Sequence, residues 1–162
     1  MEEQTMEVQT VEEQTTGCLV CGAPLEYLQS QIEMECTYCH KTFMSNARCV
    51  NGHFICDSCH EQMGLRVIED ICRHTDSKDP VAIMKKIILS PYIYMHGPEH
   101  HVLVGSALLA AYKNAGGELD LDAALEEMRN RGAQVPGGIC GLWGTCGAAV
   151  STGISVSYTH LT

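Results

Sequence analysis

Three C-x-x-C turns crowd the first sixty residues: Cys18/Cys21, Cys36/Cys39 and Cys56/Cys59. Cys49 and His53 stand between the second and third. A C-x-x-C turn aims two sulfurs at one soft metal ion, and two such pairs complete a tetrahedron. No other feature limits the fold as strongly. A chain with these pairs is organised around bound metal before it is organised around a core.

Fourteen residues separate the first two pairs. Leu25 to Gln29 and Ile32 to Cys36 alternate apolar and polar, which predicts a small hairpin turning near Gln29-Ser30-Gln31. That hairpin would return the second knuckle to the first. Gly22, directly after Cys21, lets backbone amides approach sulfur. Asn51-Gly52 is a second tight-turn signal. Two pairings are open. Sequential pairing joins Cys18, Cys21, Cys36 and Cys39 in one site and Cys49, His53, Cys56 and Cys59 in another. Alternating pairing gives a cross-braced module. Sequential pairing is the expectation, because each hairpin then closes its own site. His60, Cys72 and His74 compete for places in the second set. Two zinc ions are expected, with iron on similar knuckles as the alternative. Metal binding here amounts to folding, since zinc supplies about 10–16 kcal/mol in small finger peptides. Four protein ligands leave no position for substrate, so residues 17–60 are expected to scaffold or to recognise a partner.

The chain carries a formal net charge of −10. Residues 1–16 hold five Glu and no Lys or Arg, in a repeat of five residues. Such a stretch buries too little to offset its ordering entropy, so a disordered acidic tail is expected. This balance gives no electrostatic drive toward nucleic acid or anionic membranes. The N-terminus lacks the basic-then-apolar order of a secretory signal, and no apolar run reaches membrane-spanning length. Ten cysteines without export suit a reducing, cytoplasmic compartment.

Beyond residue 60 the periodicity turns helical. A helix is expected from Asp57 or Ser58 to about His74, with Met63, Val67, Ile68 and Ile71 on one face. Asp79-Pro80 caps a second, ending at Ser90-Pro91. A third opens at Pro98-Glu99 and stops at Gly116-Gly117; its stretch Val102 to Tyr112 is apolar almost all round, as a central helix requires. A fourth starts at Asp120 or Asp122 and ends at Gly132, and a glycine-rich run then enters a helix of small residues. The fold class is therefore mainly α: a small β zinc-ribbon-like module (17–60) followed by a helical domain (61–156).

Two segments carry further chemistry. His96-Gly97-Pro98-Glu99-His100-His101 formally contains the H-x-x-E-H order of one zinc-peptidase class. Gly97-Pro98 between the ligands breaks the continuous helix that order needs. Two readings remain: a capped helix start with two exposed imidazoles, or a site where His96, Glu99 and His100 or His101 hold a metal or move protons. The second segment, GGICGLWGTCG, places Cys140 and Cys146 among glycines that never form a dinucleotide fingerprint. Cys146 falls at or near a helix N-terminus, where a thiolate is stabilised. Either these are buried packing thiols, or they are redox groups or iron–sulfur ligands completed from elsewhere. Trp143 would shield such a site or fill the core.

The segments GCLVCGAPLEY, CTYCHK, GHFICDSCH, MHGPEHHVLVGSALLAAYKN and GGICGLWGTCGAAVSTGI resemble an uncharacterised prokaryotic family, domain-of-unknown-function family 5714, over roughly residues 17–156. The resemblance implies zinc-ribbon knuckles ahead of a helical domain. Some members look associated with S-adenosylmethionine-dependent methyltransferase domains, and many come from anaerobes. The glycine/cysteine segment is also similar to that of a redox-active-cysteine family. By position, the resemblance raises His96, Glu99, His100, Cys140 and Cys146 as candidate catalytic or cofactor-binding residues. Family-like sequence stops near Val156. Residues 157–162 look like adaptor readthrough, which implies a helical domain cut short. The expected function is zinc binding with a helical domain that supports anaerobic redox or cofactor chemistry. The alternative is a non-catalytic adaptor docking a methyltransferase-type partner.

Overall fold

The computed structural model describes residues 17–95 and 97–160. The acidic repeat and His96 lie outside the described residues. Among those described, the chain forms two strands and six helices: β1 (Leu25–Glu35), β2 (Thr42–Cys49), α1 (Asp57–His74), α2 (Pro80–Ile88), α3 (His100–Asn114), α4 (Leu121–Gly132), α5 (Ile139–Trp143) and α6 (Gly147–His160). The architecture is mainly α with a small β module.

The hairpin differs from expectation. β1 runs unbroken through Gln29-Ser30-Gln31, with only a register irregularity between Tyr27 and Ile32. Gln-Ser-Gln offers no residue that readily takes the positive φ of a tight hairpin turn. The reversal comes instead at the second knuckle, where His40 takes φ 57°. Leu25 pairs with Cys49 at one end of the ladder and Glu35 with Thr42 at the other. Each knuckle therefore closes a different end.

The helices pack around α3, which touches α1, α2, α4 and α6. Ile68, Ile83, Ile87, Leu103, Leu109, Leu125 and Met128 are fully buried between them. The apolar run in α3 is thus the centre of the domain. The buried stripe of α1 is His60, Gly64, Ile68 and Cys72. Met63, Val67 and Ile71 flank that stripe half-buried. The stripe includes a glycine because the Tyr92 backbone presses on Gly64, and a histidine because the Tyr94 ring covers His60.

Local signals set the helix ends. Asp79 accepts from the Val81 N–H at 2.8 Å with Pro80 in the first turn, and Asp120 accepts from Ala123 N–H. α3 ends in a Schellman turn. Gly116 (φ 101°) donates to Lys113 O, and Gly117 donates to Tyr112 O, both at 3.0 Å. α6 closes on α3 through small residues. Gly105 N–H reaches Ser151 Oγ at 2.8 Å, an approach a side chain at 105 would block. α6 continues through residues 157–160, where Tyr158 packs against the core.

Candidate metal centres

The two knuckles share one local design. Gly22 and His40, each following the second cysteine, take positive φ (71° and 57°). Gly22 N–H donates to Cys18 O and His40 N–H to Cys36 O, at 2.7 and 2.9 Å. Cys18 N–H reaches Ala23 O and Cys36 N–H reaches Lys41 O. These bonds curl the backbone so that both sulfurs of a knuckle face the same point.

The structure pairs the knuckles by alternation. Cys18, Cys21, Cys49 and His53 form one cluster, and Cys36, Cys39, Cys56 and Cys59 the other, with the ligand atoms of each within 4.8 Å of one another. This overturns the expected sequential pairing while keeping the same eight residues. The ladder is the physical cause. Its register sets Cys49 beside the first knuckle, and the chain after His53 reaches the second, where Thr37 N–H bonds Phe54 O at 2.8 Å.

The donor separations suit a tetrahedral ion. With metal–sulfur bonds near 2.3 Å, tetrahedral geometry puts sulfurs about 3.8 Å apart, and a sulfur and an imidazole nitrogen about 3.6 Å apart. Cys39 and Cys56 sulfurs lie 3.8 Å apart, those of Cys21 and Cys49 3.5 Å, and Cys18 Sγ and His53 Nδ1 3.8 Å. All ten cysteines are free thiols. Backbone N–H groups point at the sulfurs as well: Val20 at Cys18, Asn51 at Cys49 and Cys56 at Cys36, at 3.3–3.4 Å.

The thiols of each cluster titrate against one another. The Ala23 N–H, then Asn51, pull Cys21 down to about 6. Burial pushes Cys36 up, but N–H groups of Cys39, Cys56 and Tyr38 outweigh it and bring it to about 6. Burial, reinforced by neighbouring sulfurs, pushes Cys59 up to about 12 and raises Cys49 and Cys56. Three thiolates in the first cluster, or four in the second, cannot share so small a space without a counter-charge, and a divalent cation supplies one. Each cluster can hold one metal ion.

None of the three competing residues joins a cluster. Cys72 is buried in the helical core, where burial pushes its thiol up to about 12. His74 bonds the Asp70 carbonyl at the exposed end of α1. His60 stacks on Tyr94, ring centroids 3.8 Å apart and planes within 5°.

The His-Gly-Pro-Glu-His-His segment folds back on itself. Glu99 is 1% exposed and accepts from the Tyr94 N–H at 2.9 Å. Gly97 lies directly against its carboxylate, a place only glycine leaves open. His100 Nε2 bonds the Tyr94 carbonyl at 2.7 Å, and the His101 ring packs on the Gly147 backbone. Bonds from His100 to Gly97 O and from His101 to Pro98 O form a tight turn just ahead of α3. Two of the segment's polar side chains, Glu99 and His100, are thus held by the backbone of Tyr94. Spacing alone gives no signal for Tyr94, which receives two of these contacts and the His60 stack.

Cys140 lies in α5 and is exposed, between left-handed Gly138 and Gly144. Cys146 is also exposed, and its carbonyl accepts from Val150 N–H at the start of α6, the helix N-terminus expected for it. Neither is a buried packing thiol, and Trp143 between them is 68% exposed, so it does not fill the core.

A family model described as a family of unknown function, DUF5714, matches residues 68–162, more than half of the chain. The chain belongs to the DUF5714 family. No curated protein and no solved structure matches it. The DUF5714 stretch begins within α1, after the last cluster ligand, Cys59. It contains Glu99, His100, Cys140 and Cys146, and takes in 157–160, which α6 carries. Among the described residues of this DUF5714 chain, no helix is long and apolar enough to cross a membrane.

Proposed function

We infer that this protein binds two zinc ions, one in each cluster, and that both are structural. The observation that carries this reading is the donor geometry, four ligands per cluster at tetrahedral separations. Zinc fits because it accepts a set of four cysteines and a set of three cysteines with one histidine equally, and has no redox chemistry to protect. Eight protein ligands occupy both coordination spheres, so these ions shape the module and take no substrate. The module has little else to hold it: Met34 is the only buried residue of its strands besides Cys49. Reduced thiols of this kind suit the cytoplasm.

The helical domain then offers Cys140 and Cys146 to anaerobic redox or cofactor chemistry. Their exposure beside Trp143 supports this role. Glu99 and His100 act as positioning residues for the loop ahead of α3, since the first is sealed from solvent and both are tied to Tyr94. A second reading, an adaptor docking a methyltransferase-type partner, draws support from Leu142 and Trp143, which are 77% and 68% exposed.

Anaerobic purification with elemental analysis tests these readings. Two zinc ions per chain and a colourless protein support structural zinc. A brown protein that loses its colour on Cys140→Ser or Cys146→Ser places a cluster at the glycine-rich segment. Amide dispersion of residues 17–60 that survives a strong chelator, with no metal bound, overturns the zinc reading.

A further inference from the structure

The module and the helical domain meet where α1 begins. Cys56 is the N-cap of α1 and Cys59 lies in its first turn, so the second cluster holds two residues of one helix start. Cys56 makes no side-chain capping bond. A helix start lacking a cap leaves backbone N–H groups unpaired and frays. An ion bound by Cys56 and Cys59 pins that turn in the way a cap would.

His60 follows Cys59 directly and bonds back to Cys56 O through its N–H at 3.0 Å. Its ring joins neither cluster and stacks on Tyr94. Tyr94 in turn holds Glu99 through its N–H and His100 through its carbonyl. One turn further along α1, Gly64 sits where a Cβ would lie 2.9 Å from Tyr92 O and 3.6 Å from Glu99 Cγ. The first two turns of α1 thus form the floor beneath 92–95 and 97–99. His60 Nε2 and Glu99 Oε2 are buried without hydrogen-bond partners. The contact between floor and loop is therefore one of ring stacking and packing, with no hydrogen bond from His60 Nε2 to fix it.

We propose that His60 couples the second metal centre to the segment ahead of α3: the ion fixes the first turn of α1, and the His60–Tyr94 stack passes that order to Glu99 and His100. The coupling rests on the zinc reading above for the presence of the ion, and on the geometry of this chain for its route. It makes the DUF5714 part of the chain, which contains no cluster ligand, sensitive to metal bound outside it. His60 is a positioning residue in this scheme. It touches neither ion, and its effect runs through Tyr94.

Hydrogen exchange on the full chain, read by mass spectrometry with metal content measured in the same samples, tests the route. In the zinc-loaded protein, His60→Ala speeds exchange at 92–95 and 97–103 by roughly three- to tenfold, the range set by loss of one aromatic stack. Metal content and protection at 36–56 stay unchanged. His60→Phe keeps the stack without the ring nitrogens and restores slow exchange. Emptying the second centre with Cys59→Ala opens the same segment, whereas Cys21→Ala, in the first centre, leaves it closed. The coupling is refuted if His60→Ala leaves exchange at 92–103 unchanged, or if Cys21→Ala and Cys59→Ala open it equally. A sample that binds no metal in any form defeats the zinc reading. Two ions per chain with an indifferent loop defeat only the coupling.

Discussion

The sulfurs of Cys21 and Cys49 lie 3.5 Å apart although the two stand 28 positions apart in the chain. This contact ties the first knuckle to the last residue of β2 and defines a cross-braced module. Double substitutions read the pairing directly. Cys18→Ala with Cys49→Ala removes two ligands from one centre, and about one ion per chain remains. Cys18→Ala with Cys36→Ala takes one ligand from each, and metal content falls toward zero after mild chelation. Elemental analysis checks both. Sequential pairing would leave an ion bound in the second variant.

Gly105 is where α3 and α6 come closest. A Cβ there would sit 2.6 Å from the Ser151 carbonyl oxygen, a backbone atom with little room to yield. Gly105→Ala is expected to destabilise the helical domain by about 1–3 kcal/mol, as overpacking does. Denaturant unfolding checks it. Gly153→Ala, on the same helix pair but with open space around it, serves as the control and costs little.

Thiol reactivity separates three classes of cysteine. With metal bound, Cys140 and Cys146 are exposed and alkylate first. The seven cluster cysteines react only after a chelator is added. Cys72, buried in the core, reacts only on unfolding. Time-resolved alkylation with peptide mapping reports all three, and early modification of Cys72 in the folded protein would contradict the packing described.

Cys72 also gives the helical domain an alkaline limit. Burial raises its thiol from 9.0 to about 12. The folded state therefore keeps a proton that the unfolded state releases. Its stabilising contribution is complete below pH 9, and is lost progressively as pH climbs from 9 toward 12. The slope from this one group does not exceed about 1.4 kcal/mol per pH unit. Stability of the wild type should fall more steeply across that window than stability of Cys72→Ala, measured by urea unfolding at successive pH values.

Several features of this molecule are local, and the sequence displays them. Asp79-Pro80, Gly116-Gly117 and Asp120 mark helix ends because capping and positive φ depend on adjacent residues. The buried run in α3 announces a central helix because no polar face interrupts it. The three C-x-x-C pairs are visible, since that spacing is a short-range geometry, whereas Cys49 and His53 stand in the sequence as candidates beside His60, Cys72 and His74. The place of the hairpin turn is not visible, because a metal knuckle with His40 in a left-handed conformation replaces the usual turn residues. Nor is the true stripe of α1, because side-chain size signals burial in a sequence, while Gly64 and His60 are buried by what presses on them.

The order of amino acids by itself determined which side chains can bind metal, where most helices begin and stop, and that α3 lies at the centre. Tertiary structure alone decided which knuckle partners which, that Glu99 turns inward over Gly97, and that His60 stacks on Tyr94 and joins neither cluster. The division has a physical basis. Capping, turns and periodicity are settled within a few residues of backbone, whereas ladder register and the docking of one element on another depend on residues far apart in the chain.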